Sequence, residues 1–302
     1  YPAYEELGVL RKKGKVMEND HLLEVRHLHK QLGQFSLKDI SFNIEPGYIT
    51  GLIGRNGTGK SSLIKTILNL YEKDSGTIFV DGHSMDEEEN LAKNAIGVVL
   101  DECIFEENLS VEDNGRTFGI FYTKYDHELF LKFCERFQIQ PRRKIKKLSK
   151  GQKTRFQLAF ALSHGAKLFL MDEPSAGLDP LFRQELMSYM QDIVEDGTRS
   201  VLFSTHLTAD LDKIGDYILV MEDGALLFCE GKESLFERFS IVHGTKEELL
   251  ALPDDMVIYR DLGEYKNLAM VDKTKGICSS LPSHIPSLEE FLYYLQKGGV
   301  IK

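Results

Sequence analysis

The chain has 302 residues, enough for one large or two modest domains, and its 42% hydrophobic and 28% charged content is that of a protein with a buried core. A formal net charge of −10 excludes bulk nucleic-acid binding, which needs a basic footprint, and disfavours unaided adhesion to anionic lipid. The cysteines Cys103, Cys134, Cys229 and Cys278 are scattered without a C-x-x-C pair, a pattern of reduced thiols rather than of a disulfide framework or a zinc site.

In chain order, residues 1–16 carry basic residues with no apolar stretch behind them, so they do not form a secretory signal. They read as a loosely held extension, either an authentic helical arm or a remnant of expression, and the folded domain is expected from residue 17. No apolar run approaches the roughly 20 residues of a membrane-spanning helix. Short β-type runs come next: LLEVRHL, then FSLKDISFNI closed by Pro46-Gly47, then the apolar YITGLIG. The last run empties into Gly54-Arg55-Asn56-Gly57-Thr58-Gly59-Lys60-Ser61, ahead of the helix-like SSLIKTILNLY. This loop matches G-x-x-x-x-G-K-[ST] at every position. Its glycines let successive N–H groups turn inward on phosphates, and the helix start adds its positive dipole end. Lys60 reaches the β- and γ-phosphates and the Ser61 hydroxyl suits Mg²⁺. Gly54, Asn56, Gly57, Thr58, Gly59, Lys60, Ser61 and Ser62 are therefore candidate nucleotide contacts. The loop alone says only nucleoside triphosphate.

GTIFVDGHS reads as a strand ended by Asp81-Gly82, and Asp86 to Glu89 as a solvated turn. From about residue 101 to 163 the composition turns aromatic and helical, an expected helical insertion interrupted at Pro141. Beyond it, KLFLMDEP, SVLFSTH and YILVMEDG alternate with helical stretches, the pattern of a mainly parallel sheet with crossover helices. In the first of these, Leu168 to Met171 run into Asp172 and Glu173. At the end of a buried strand, Asp172 can join a Mg²⁺ shell and Glu173 can polarise an attacking water. The tail from residue 231 offers MVIYRDL, LAMVDKT and SLEEFLYYLQKGG, the last with a capping box of Ser287 and Glu290 and a stop at Gly298. It reads as a small α+β extension.

The order GRNGTGKS, LSKGQ, LFLMDEP, SAGLD, STH resembles that of an ABC-type nucleotide-binding domain, with Leu148-Ser149-Lys150-Gly151-Gln152 standing where the family has LSGGQ. The resemblance spans Leu22 to Gly231. It implies an α/β fold, a P-loop NTPase of the ABC type over residues 17–230, with a mainly parallel sheet core, an antiparallel β subdomain and the helical insertion. It further implies an ATPase subunit at the cytoplasmic face of the cell membrane, powering a separate membrane-spanning permease. Two subunits, as a homodimer or heterodimer, would sandwich ATP and Mg²⁺ head to tail, the phosphate loop of one facing LSKGQ of the other. Ser149, Gly151 and Gln152 are then contacts in trans, and Asp179 matches the aspartate that couples the two sites. His206 matches the switch histidine, catalytic alongside Glu173, and Ser61 and Asp172 are the metal contacts. The tail resembles the extension of export-type subunits for antimicrobial peptides and small lipophiles.

Three positions depart from that pattern. Asp101 stands where the family has a glutamine that contacts Mg²⁺ and water, and is expected to substitute for it as a metal contact. Leu32 takes the place of the adenine-stacking aromatic, with nearby Phe35 expected in the core. Lys150 replaces a glycine, either on a solvated face or adding charge near the trans phosphates. Phe105 and Leu109 either receive a helix of the permease or pack internally. Two other readings compete: a soluble ABC ATPase of the translation or repair type, and a regulatory subunit impaired in hydrolysis, which Asp101 keeps open. The absence of a second nucleotide domain or coiled-coil insertion, and the net charge, weigh against the former.

Overall fold

The first half of the chain folds as β1 (Leu23–Leu32), β2 (Phe35–Ile44), β3 (Ile49–Ile53), α1 (Lys60–Ile67), β4 (Ser75–Val80), β5 (His83–Ser84), α2 (Glu89–Asn94) and β6 (Ile96–Val99). The structure, a computed structural model, describes residues 21–263, 267–276 and 281–299. The extension expected over 1–16, the domain start at 17 and Cys278 lie outside the described residues. β1 and β2 bury alternate apolar side chains and form an antiparallel sheet of order β2-β1-β4-β5. Asp81-Gly82 ends β4 as expected, and the turn it makes closes a β4–β5 hairpin.

The helical insertion comprises α3 (Val111–Gly119), α4 (His127–Arg136) and α5 (Lys150–Ser163). After it come β7 (Leu168–Asp172), α6 (Pro180–Val194), β8 (Ser200–Thr205), α7 (Thr208–Ile214), β9 (Tyr217–Glu222) and β10 (Ala225–Gly231). The central sheet has the order β10-β9-β3-β8-β7-β6, parallel throughout except for β10, which returns antiparallel on β9. β3, β7 and β8 are buried at every position, because a parallel sheet is covered on both faces. Their side chains divide by the two-residue period of a strand. Phe169 and Met171 of β7, with Val201 and Phe203 of β8, enter one core with the helical insertion. Leu168, Leu170 and Leu202 face the other, packed with α1 and the antiparallel sheet. This arrangement brings the C-terminal ends of β3, β7 and β8 side by side on one edge, where α/β sheets place their ligands.

The tail adds α8 (Lys232–Arg238), β11 (Phe239–His243), α9 (Lys246–Leu250), β12 (Val257–Leu262), β13 (Asn267–Asp272), β14 (Ser283–His284) and α10 (Leu288–Lys297). Its antiparallel sheet has the order β12-β13-β11-β14. The expected capping box of Ser287 and Glu290 starts α10. Gly298 ends that helix in right-handed backbone, and the left-handed residue is Gly299. Phe239, Ile241, Met270, Leu288, Phe291 and Leu295 share one core cluster with Leu211 and Ile214 of α7, so the tail packs directly against the nucleotide-binding part.

Candidate nucleotide site

The phosphate loop leaves β3 at Ile53 and enters α1 at Lys60. Gly59 caps the helix in left-handed backbone (φ 105°), and a Cβ there would lie 2.5 Å from the Phe35 ring, so both conformation and space require glycine. Thr58, buried, braces the loop by donating from Oγ1 to the Arg55 carbonyl at 2.9 Å. Lys60 is buried as well. Its Nζ donates to the carbonyls of Gly54 (2.7 Å) and Arg55 (3.1 Å) and lies 3.9 Å from Glu173 Oε1. Burial pulls the Lys60 ammonium below the usual lysine range, and the Glu173 and Asp172 carboxylates partly offset that pull.

The neighbouring strand ends complete the cluster. Asp172 Oδ1 accepts from Ser61 Oγ at 3.0 Å and from Ser204 Oγ at 2.6 Å, which ties α1, β7 and β8 to one carboxylate oxygen. Glu173 follows in left-handed backbone (φ 47°), with its N–H donating to Ser204 Oγ at 2.9 Å. Such a conformation costs a non-glycine residue about 1–2 kcal/mol. It turns the Glu173 side chain across to His206, whose Nδ1 lies 2.7 Å from Glu173 Oε2.

These groups face a cleft of about 630 Å³, lined by Leu32, Phe35, Asn56, Gly57, Gly59, Lys60, Ser61, Ser62, Tyr71, Asp101, Lys150, Glu173, Ala176 and His206. That volume is within the range of small-molecule sites. Leu32 stands in the cleft lining. Phe35 departs from the expectation of a purely core residue: half-buried, it packs against the core and also lines the cleft over Gly59. Tyr71 was missed by the sequence reading; it lies just past α1, close enough for Lys65 Nζ to approach its ring at 5.8 Å. Its place beyond the end of the phosphate-loop helix was the available signal.

Asp101 lines the cleft and is ion-paired with Lys150. Lys150 therefore faces the cleft of its own chain, not a purely solvated face. Phe105 is core, its ring edge-on to Phe118, Phe156 and Phe160, which settles it as internal packing. Ser149, Gly151, Gln152 and Asp179 lie outside the cleft of their own chain. Ser149 caps α5 in a reciprocal box with Gln152, at 3.3 and 3.1 Å. Asp179 caps α6 by accepting from the Phe182 N–H at 3.0 Å, and Gly151 sits in the first turn of α5 near Leu178.

A phosphate loop between a strand and a helix, with an acid pair ending a neighbouring parallel strand, defines a P-loop nucleoside triphosphatase. The model of the ABC transporter family matches residues 37–176. The linearmycin resistance ATP-binding protein LnrL of Bacillus subtilis is 30% identical over 223 residues, covering 72% of this chain and 71% of its own. The lantibiotic transport ATP-binding protein SrtF of Streptococcus pyogenes is 29% identical over 225 residues, covering 72% of this chain and 96% of its own. A solved ATP-binding subunit of an ABC transporter superposes with a TM-score of 0.66 at 24% identity, over 72% of this chain and 92% of its own, a likeness of fold. The chain belongs to the ABC transporter ATP-binding proteins, the ATP-hydrolysing subunits of these transporters. Among the described residues no helix is long and apolar enough to cross a membrane.

Proposed function

We propose that the chain hydrolyses MgATP in this cleft to drive export through a separate permease bound at the cytoplasmic face of the membrane. The observation that carries the reading is the cluster at the strand ends: Lys60, Ser61, Asp172, Glu173 and His206 within one connected set of contacts. Ser61 and Asp172 present hard oxygen donors 3.0 Å apart, the donor chemistry that suits Mg²⁺, and these two residues would hold it with Asp101 at the mouth. Bound there, the metal would supply charge neutralisation on the phosphate oxygens.

The residues of the chain do the rest. Lys60 and the loop N–H groups orient the triphosphate, with Asn56, Gly57 and Ser62 lining the same wall. Glu173 accepts a proton from the attacking water as its oxygen bonds to the γ-phosphorus and the bond to the β–γ bridging oxygen breaks. His206, held against Glu173, fixes the orientation of that carboxylate and reaches the γ-phosphate. Leu32, Phe35 and Tyr71 form the apolar end of the cleft that receives the base.

Ser149, Gly151 and Gln152 sit at the N-terminal end of α5, outside their own cleft, where backbone N–H groups suit an anion presented by another chain, and Asp179 caps α6, also outside the cleft, as the residue that couples the two sites. This supports a head-to-tail pair, either homodimeric or heterodimeric, with one ATP per cleft. Ile120 and Phe121 are 77% and 67% exposed at the end of α3, and the Asn94 side chain of α2 donates to the Phe121 carbonyl. This surface, not Phe105, is the apolar face offered to the permease. The names of LnrL and SrtF, in linearmycin resistance and lantibiotic transport, favour export. Detergent extracts of membranes should yield the chain bound to a polytopic membrane subunit, with ATPase activity altered by that association. Recovery of the chain alone, with activity indifferent to membranes, would contradict the reading.

A further inference from the structure

Two charged departures from the family pattern, Asp101 and Lys150, meet in the structure. Lys150 opens α5, Asp101 follows β6, and the Lys150 Nζ pairs with Asp101 Oδ1 at the mouth of the cleft, which both residues line. The pair is one of two ties between the same segments. Gln157, buried on α5, accepts the Leu100 N–H at 3.1 Å and donates to the Leu100 carbonyl at 2.9 Å, which fixes the residue immediately before Asp101. The Lys150 stem passes Gly177, where a Cβ would stand 3.7 Å from Lys150 Cδ. The ammonium is thus placed by α5 and by Asp101 together.

The electrostatic consequence concerns a triphosphate. Glu173 already places one carboxylate on the cleft, with Asp172 behind Ser61. An unpaired Asp101 would add another negative charge at the mouth, against a ligand that is itself strongly anionic. We propose that Lys150 is a positioning residue for the nucleotide site of its own chain: acting through Asp101, it neutralises that carboxylate and holds it in the orientation from which it serves MgATP. The inference rests on the reading of the cleft as the ATP site, and goes beyond it by giving this signature-segment lysine a role in cis.

The test is a double-mutant cycle on the full chain, reading the Kd for MgATP in wild type, Lys150→Ala, Lys150→Arg, Asp101→Asn and the Asp101→Asn, Lys150→Ala double variant. Because the pair is half-exposed, Lys150→Ala should weaken MgATP binding by about 2- to 5-fold at low salt. The loss should shrink as ionic strength rises. Lys150→Arg should restore affinity, and in the Asp101→Asn background loss of Lys150 should change it by less than about 1.5-fold. An equal loss in both backgrounds, or no loss with Lys150→Ala, would overturn the proposal. Lys60→Ala separates the two claims. If it leaves MgATP affinity intact, the cleft is not the ATP site. If it abolishes binding while Lys150 behaves additively, the site stands and the role of Lys150 falls.

Discussion

At Glu173 the backbone turns left-handed, and Ser204 fixes that turn by accepting its N–H while donating to Asp172. The carboxylate is then presented to His206 at 2.7 Å. In the proposed mechanism His206 works through the orientation of Glu173 as well as through the phosphate. His206→Ala should therefore lower kcat for ATP by about 100-fold or more while leaving the Kd for MgATP within a few-fold, measured by steady-state hydrolysis and equilibrium binding. A loss confined to binding would place His206 elsewhere in the cycle. Adjacency explains which residues could be read in advance. Asp172 and Glu173 are neighbours at the end of an apolar run, and Lys60 and Ser61 sit in a loop whose spacing is itself the signal. Ser204 lies 32 positions from its carboxylate partner, inside a strand where a serine reads as filler, so its part in the cluster exists only once β7 and β8 are paired. The same holds for Lys150, whose sequence context is a basic run and whose partner Asp101 is reached only through the packing of α5 on β6.

Among the elements, the helical insertion shows how far composition carries. Its aromatic content announced helices, and Phe105 and Phe130 pack edge to face against Phe156 and Phe160 of α5. His164, at the C-terminal end of α5, completes this cluster with its ring stacked on Tyr122 at 4.0 Å between centroids. Burial pushes the His164 pKa down to about 4. The native state therefore keeps this ring neutral while the unfolded chain protonates it near its ordinary value of about 6.5. Between those values the unfolded state binds the extra proton, so stability falls as pH drops from about 6.5 towards 4, by on the order of 3 kcal/mol from this group. Urea titrations over that range should show His164→Phe with a shallower loss than wild type; parallel slopes would count against a neutral buried ring. The elements that escaped the sequence reading did so for local reasons. β11 follows α8 without a glycine or proline between them, and β14 has only two residues, too short for any alternation to register.

The described residues centre on a mainly parallel sheet that gathers the phosphate loop, the acid pair and the histidine at one end of its strands, with an antiparallel sheet, a helical insertion and the tail packed around it. The tail, legible as α+β, was not legible as part of the same core. Its contacts run from α10 to α7, the helix that begins two residues after His206, and such long-range packing leaves no mark in a local pattern. The segment after the histidine is thus backed by the tail, which makes the tail part of the support of the site. Lys60, Glu173 and His206 line one cleft, with Asp172 bonded to Ser61 in its wall, while Ser149, Gly151, Gln152 and Asp179 lie at helix caps outside it. In the proposed reading, two copies, or this chain and a related one, enclose the nucleotide together. Glu173→Gln keeps the shape of the side chain while removing its capacity to take the proton from water, so ATP should bind and remain unhydrolysed. Size-exclusion chromatography with light scattering of Glu173→Gln is the most direct measurement. With saturating MgATP the purified chain should elute as a dimer that reverts to monomer when ATP is withdrawn. A variant that binds ATP at its cleft and stays monomeric, alone and with its membrane partner's second nucleotide-binding subunit, would contradict the shared site.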